Sequence, residues 1–298
     1  MSKSSFPPSR PFPIPVVTDH PHATTGMPDG VPEYLSMPND MAVFTAPRVP
    51  ESAERATLDS VERRLAALLA RMAATDFAEA DGIIEDLRQW PPAERALVGD
   101  LLGFGEVSAY TMTSPLRFRA QETAFPGLWR VLALAVDESG QECIEEDFLQ
   151  AGAIPPVLLQ VMRENGLAEL PPPAFPEGVM NAPALTQEIS TRAKAWRPDE
   201  PAHVINFTLL PMSEADFEAL YGWLGHREVS ILSRGYGNCR ITSTRLAHVW
   251  WVQYFNSMDT LILNTLEVTA MPEAALAARE DYADTLVRLE EYLGSLKS

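Results

Sequence analysis

The residues of this chain with most chemical potential lie between positions 230 and 268. Gly235-Tyr236-Gly237-Asn238 sets two glycines around a tyrosine, and Arg240, Arg245, His248 and the adjacent Trp250 and Trp251 follow. Glycines expose backbone N–H groups and can form an anion nest. A dinucleotide loop needs a different glycine spacing and a following helix, whereas the residues after Asn238 read as a strand. The segment therefore reads as a hairpin turn. Arg, Tyr and Trp dominate interface energetics, so Tyr236, Asn238, Arg240, Arg245, His248 and Trp250 are the candidate partner-binding residues. The bland alternative is a solvated sheet face. Strand alternation sends Trp250 and Trp251 to opposite faces. Trp251 is assigned to the core, and Trp250 to a surface that meets a partner or another part of the chain.

Other chemistries lack their residues. The GxSxG, P-loop and HExxH patterns are absent. His20 and His22 fall near the N-terminus, and His203, His226 and His248 lie on separate elements, where structural roles are preferred. Cys143 and Cys239 are far apart without CxxC spacing, which argues against a disulfide framework or a Cys-rich zinc or iron–sulfur site and fits a reducing compartment. Glu106 and Glu228 recur in similar contexts, but an acid–base pair would need them to converge. No catalytic, cofactor-binding or metal residue is assigned, and a non-enzyme is expected.

Composition narrows the partners. The 298 residues carry 23 basic and 41 acidic side chains, a formal charge of −18. Nucleic acid and anionic membranes need clustered Lys and Arg, so neither is expected. Solubility is the plain reading of this charge, and attraction to a basic partner segment is the sharper one. No apolar run has membrane-spanning length, and MSKSSFPPSRPFPIP has no apolar signal core. A cytoplasmic protein is expected.

The elements that position the candidate residues follow from periodicity and breakers. Residues 1–50 read as a Pro-rich, largely irregular arm, whose last part (Met41, Val43, Phe44) docks on the body. Leu58, Val61, Leu65, Leu68, Leu69 and Met72 make one apolar face of a helix over 51–74. Pro91 and Pro92 open a short helix ending near Gly103. Strands are expected over 106–110, 116–123, 128–136 and 142–148, then a helix from Pro155-Pro156 to about Gly166. Residues 167–182 are a Pro-rich linker. The order then restarts: a helix over 183–196, a strand over 202–210, and a helix over 212–224 with a capping-box start at Ser213 and Asp216. Strands over 228–232, 240–244, 247–255 and 261–268 follow, and a last helix runs from Met271-Pro272-Glu273 to about Leu296.

The restart is co-linear. At an offset of 122 residues, Leu102-Gly103 and Glu106-Val107-Ser108 match Leu224-Gly225 and Glu228-Val229-Ser230, the segment 80–103 overlays 202–225 without a gap, and Trp129 falls on Trp251. The offset then drops to 117, where Ala153-Ile154-Pro155 meets Ala270-Met271-Pro272. The expected fold class is α+β: two tandem copies of a helix-plus-antiparallel-sheet module, over 51–166 and 183–298, behind the N-terminal arm. Helices would cover one face, and the copies would share a sheet or frame a groove. Asn238, Arg240, Arg245, His248 and Trp250 belong to the second copy and look specific to it.

GYGNCRITSTRLAHVWWVQYFNSMDTLILNTLEV at 235–268 closely resembles the C-terminal region of the HupH/HyaF/HoxQ family of hydrogenase expression/formation proteins. LLGFGEVS at 101–108, ETAFPGLWRV at 122–131 and AIPP at 153–156 resemble it too, so the likeness covers about residues 40–290. The resemblance implies a cytoplasmic maturation chaperone without enzymatic activity. Its expected partner is the iron–sulfur small-subunit precursor of an uptake [NiFe]-hydrogenase, including its twin-arginine signal, with a second maturation protein acting alongside. The family supplies no catalytic motif to carry over. The alternative is an iron–sulfur carrier, repair or redox-protection factor for the same hydrogenase.

Overall fold

The computed structural model describes residues 44–112, 116–137, 141–198, 200–226, 228–235 and 237–297. His20, His22, Met41, Val43 and most of the expected arm lie outside the described residues. From Phe44 onward the chain lies on the body. Thr45 and Phe104 exchange backbone hydrogen bonds of 2.9 Å each way, and Arg48 Nη2 stands 2.8 Å from Asp100 Oδ1. The approach is tight enough to need Gly103, whose φ is +60° and whose hydrogen faces the Thr45 carbonyl.

Helix α1 (Arg55–Ala73) buries the apolar stripe read from its sequence. Strand β1 (Ile84–Asp86) follows a 3-10 turn, and α2 (Pro92–Leu102) opens on its prolines. Then come β2 (Val107–Thr111), β3 (Leu116–Glu122), β4 (Leu128–Val136), β5 (Glu142–Ala151) and α3 (Pro156–Asn165). The second half brings α4 (Ala182–Ala195), β6 (His203–Asn206), α5 (Glu214–Leu224), β7 (Val229–Ser233), β8 (Asn238–Ser243), β9 (Val249–Phe255), β10 (Leu261–Val268) and α6 (Arg279–Ser295). The chain is thus α+β, as expected.

All ten strands form one sheet in the order β1-β5-β4-β3-β2-β7-β8-β9-β10-β6, paired antiparallel throughout. The β2–β7 pairing, with Ala109 opposite Ile231, joins the two halves. No groove separates them at this seam; the sheet is shared.

Helices cover both faces, not one. On the first face, α1, α2 and α6 bury Leu65, Leu101, Leu128, Leu149 and Leu289 together, while α4 and α5 cover Ile205, Trp251 and Leu266. Strand alternation puts Trp129 and Trp250 on the other face, where α3 contributes Leu158, Val161 and Met162. That core draws Val107 and Val131 from the first half and Ile231, Ile241 and Val252 from the second.

Three expectations are corrected. The last helix does not start at Met271: Glu273–Ala275 is a 3-10 turn, Leu276 is extended with ψ 136°, and α6 begins at Arg279. The Ala277 N–H donates across the molecule to Ala153 O at 2.9 Å, so tertiary pairing holds the chain out of the helix. The segment expected as one strand over 202–210 is β6 only to Asn206, whose side chain accepts from Thr208 N at 2.9 Å and turns the chain into a 3-10 helix. Strand β1 was not expected; its three residues are too few for periodicity to register. The Pro-rich stretch 167–182 is tied along the second half. Trp223 Nε1 donates to Pro171 O at 2.9 Å, and the N–H groups of Met180, Asn181 and Ala182 converge on Asp216 Oδ1 at 2.8–2.9 Å.

Candidate partner-binding surface

The candidate residues divide between the two ends of β8 and β9. At one end lies the β7–β8 hairpin, with Ser233 opposite Cys239. Gly237 has φ +107°, Gly235 abuts the Glu106 carboxylate, and Arg234 N donates to Glu106 O at 3.1 Å. The turn read from the glycines is a hairpin. Tyr236 lies outside the described residues. Asn238 Nδ2 donates to Asp259 Oδ1 at 3.3 Å. The Arg240 guanidinium sits 4.3 Å from the Phe255 ring centroid, a cation–π contact. Burial pushes the Arg240 pKa down, and nearby Asp259 opposes that shift. Asn238 and Arg240 therefore form one half-buried polar group on an aromatic floor.

Arg245 and His248 lie at the other end. Arg245 is half-buried and held against α5. Its Nη2 donates to the carbonyls of Trp223 and Gly222, at the C-terminal end of α5, where a cation offsets the unpaired carbonyls. His248 stacks on Trp196 with centroids 3.6 Å apart and planes 14° off parallel. Its φ is +63°, and its N–H points at Met162 Sδ, 3.5 Å away. Burial, and then the Arg163 charge, lower the His248 pKa. A surface cavity of about 240 Å³ opens beside Trp196, lined by Arg192, Glu200, His203 and Val268 among others. His203 Nε2 is 2.8 Å from Glu188 Oε1.

Trp250 is not a surface residue. It is 0% exposed in the shared core, and its indole N–H donates to Thr269 O at 3.2 Å. Trp251 is also 0% exposed, in the core under α4 and α5. Alternation separates their faces correctly, but both faces are covered, so neither tryptophan is free for a partner.

The overlay of Trp129 on Trp251 is also corrected. Trp129 Nε1 donates to Gly152 O at 3.0 Å, matching the bond from Trp250 to Thr269. Thr123 Oγ1 donates to Phe125 O and accepts from Phe125 N at 3.1 and 3.2 Å, and Thr244 does the same with Leu246 at the same distances. These matches run at an offset of 121 from β3 onward. Arg240 then falls on Arg119, and Asn238 on Arg117. Both arginines bind Glu142, at 2.9 and 3.4 Å, as Asn238 binds Asp259. Arg240 and Trp250 are thus not peculiar to the second half, whereas His248 falls on Gly127 and Arg245 on Ala124. Strand pairing also sets Asp86 opposite Phe148 and Asn206 opposite Thr265. This is an offset of 120, so the ungapped overlay of 80–103 on 202–225 fails there.

Several buried polar residues escaped sequence reading. Arg130 Nε and Nη2 bind Asp147 Oδ1 and Oδ2 at 2.9 and 2.8 Å in a buried two-pronged pair. Glu122, 5% exposed, accepts from Gly127 N at 3.1 Å. Burial raises its pKa to about 7; the Gly127 bond opposes this, and Glu106 and Asp281 add to it. Asp216 is the N3 residue of the capping box at Ser213, and only that part of its role was visible in the sequence. Burial pushes its carboxyl up, but the N–H groups of Ala182, Ser213 and Asn181 and the Ser213 hydroxyl hold it well below the ordinary range.

No group of three or more His, Cys, Asp or Glu among the described residues stands close enough to hold a metal ion. Cys239 is buried on β8 and Cys143 half-buried on β5, with four strands between them, roughly 24 Å at ordinary strand spacing. Burial raises the Cys239 thiol to about 12, against a hydrogen bond from Tyr254 that lowers it. No helix among the described residues is long and apolar enough to cross a membrane. The arrangement offers hydrogen bonds, a stacked guanidinium and ring surfaces, which is binding chemistry.

Residues 179–296, from just before α4 to the end of α6, match the model of the HupH hydrogenase expression protein C-terminal conserved region. Hydrogenase expression/formation protein HoxQ of Cupriavidus necator is 41% identical over 95% of this chain and 97% of its own length. HupH of Rhodobacter capsulatus is 39% identical over 89% and 91%, and the hydrogenase-1 operon protein HyaF of Escherichia coli is 36% identical over 69% and 70%. A solved HupH from Thiobacillus denitrificans is 27% identical, covering 39% of this chain and 96% of that one with a TM-score of 0.37. With a full-length relative at this identity, the chain belongs to the HupH/HoxQ/HyaF family of hydrogenase expression/formation proteins.

Proposed function

We propose that this protein is a maturation accessory factor, not an enzyme. On this reading it binds the iron–sulfur small-subunit precursor of an uptake [NiFe]-hydrogenase in the cytoplasm and holds it until cofactor assembly is complete. The observation that carries the reading is near full-length identity of 41% to a hydrogenase expression/formation protein. The contact group is Asn238 and Arg240 on the Phe255 floor, with Tyr236 beside them in sequence. His248, stacked on Trp196, is a second contact at the far end of the strands. Arg245 and Trp250 act only by supporting the fold. A carrier in which both cysteines hold one cluster within a single chain is less well supported, since Cys239 is 3% exposed and four strands stand between it and Cys143.

The fold is read as a duplication in which 51–166 and 183–298 are two modules fused at β2–β7, with 167–182 as the connection. The repeated tryptophan and threonine hydrogen bonds support this. The charge of −18 favours the basic end of a precursor's export signal, by electrostatic steering.

The test is co-purification of the small-subunit precursor with the tagged protein from hydrogenase-producing cells. Recovery is expected to fall about tenfold in Arg240→Glu while the melting temperature stays within a few degrees. It should fall again on deleting the signal or adding salt. Recovery of another hydrogenase component in place of the precursor would reject the reading. Recovery unchanged by signal deletion and by salt would reject the electrostatic part.

A further inference from the structure

The outer edge of β5 is only partly closed. Strand β1 pairs with Phe148, Leu149 and Gln150 and no further, although β5 begins at Glu142. No strand among the described residues pairs with the outer side between Glu142 and Asp147. A sheet edge with free N–H and C=O groups is a template for an added strand.

The chemistry of this edge selects its occupant. A bulge opposite Ala133 and Leu134, which pair with Glu146 and Ile144, leaves Glu145 out of the ladder. The chain's own Arg88 fills the gap: its Nη1 donates to Glu145 O at 2.9 Å, while its Nε and Nη2 hold Asp86 at 3.0 and 2.9 Å. The Glu146 and Glu145 charges add to that of Asp86 in stabilising this cation. A guanidinium therefore already fits here, beside the exposed Ile144 and Glu145. A second copy of the chain would bring like carboxylates together across the edge, which is unfavourable; a cationic strand would not.

We infer that the β5 edge from Glu142 to Glu146 docks an extended, Arg- or Lys-bearing segment of a partner. The partner's backbone pairs beside Cys143, and its cations meet Glu145 and Glu146. The inference deepens the binding role proposed above and rests on it. Peptide binding without precursor capture would reject that role and keep this edge; precursor capture without peptide binding would reject this edge alone.

The test uses the whole protein and a fluorescent twelve-residue peptide alternating arginine and valine, read by anisotropy at low salt. Glu145→Lys with Glu146→Lys is expected to weaken binding about tenfold, and Glu290→Lys with Glu291→Lys on α6 to leave it unchanged. The same peptide with alternate amides N-methylated keeps its charge but loses strand pairing, and should bind the unaltered protein about tenfold more weakly. It needs no variant to fold. Hydrogen exchange at Cys143–Glu146 should slow on binding the unmethylated peptide. Equal binding of the methylated peptide, equal loss in the α6 variant, no binding at all, or self-association through this edge would each overturn the inference.

Discussion

Trp129 and Trp250 make the same hydrogen bond from opposite halves of one sheet. The first donates to Gly152 O at 3.0 Å and the second to Thr269 O at 3.2 Å, and both are 0% exposed in a core to which each half contributes. Each indole ties its strand to the turn that leaves β5 or β10. The two tryptophans therefore set the geometry at both ends of the shared core.

Trp250→Phe should be more damaging than Trp251→Phe. The first change leaves the half-buried Thr269 carbonyl without its indole donor, at a cost of roughly 1–2 kcal/mol. The Trp251 indole nitrogen has no hydrogen-bond partner among the described residues, so its loss removes only volume. Urea unfolding of both variants checks the order, and equal costs would contradict it.

Glu122→Gln should stabilise the protein at alkaline pH and not at acid pH. Burial pushes the folded carboxyl up to about 7, well above the ordinary range of a glutamate. A raised carboxyl pKa leaves stability intact below about 4.5, erodes it as pH rises to 7, and holds it reduced above. The glutamine oxygen can still accept from Gly127 N. A gain of up to about 3 kcal/mol is expected at pH 8 and little at pH 4.5. A gain of the same size at both pH values would rule out this cause.

Asp216→Asn should have the opposite pH signature. This carboxylate accepts N–H bonds from Asn181 and Ala182 on the approach to α4 and from Ser213 at its own helix cap, and its folded pKa is depressed. Its contribution is present above the unfolded value near 3.8 and disappears as pH falls below it. Asparagine is expected to cost roughly 2–4 kcal/mol at pH 7, with the gap to the unaltered protein closing below about pH 4. Loosening should also reach residues 179–182, visible as faster amide exchange.

His248→Gly should cost less than His248→Ala. Both lose the stack on Trp196, but the backbone at φ +63° favours glycine over alanine by about 1 kcal/mol. Gly127, the residue 121 positions earlier, has φ +78°. Thermal melts of the two variants measure the difference, and alanine proving the milder change would refute the argument.

Much of the fold was visible in local pattern. The α1 stripe, the proline-opened α2, the limits of β4 and β10 and the Ser213 cap each depend on residues close in sequence. The candidate site was read less well. Asn238 and Arg240 meet at the hairpin as the turn implied, but Trp250 is interior and Arg245 serves α5. Alternation assigns Trp250 and Trp251 to different faces; it cannot say which face is covered, and α3 covers the second one. The one-residue slip between the matching segments after β2 is hidden in the sequence because two adjacent tryptophans offer two alignments. Only the hydrogen bonds to Gly152 and Thr269 separate them.

The sequence by itself determined the alternation of helix and strand, the hairpin between β7 and β8 and the family, because these depend on short-range periodicity, turn chemistry and residue identity. The tertiary structure alone decided that both halves share one sheet through β2 and β7, that α6 packs on α1 in the first half, and that Glu122, Asp216 and the Arg130–Asp147 pair are buried. Those outcomes depend on contacts between residues distant in the chain. Burial of a charged group is set by what packs over it, which no local pattern records.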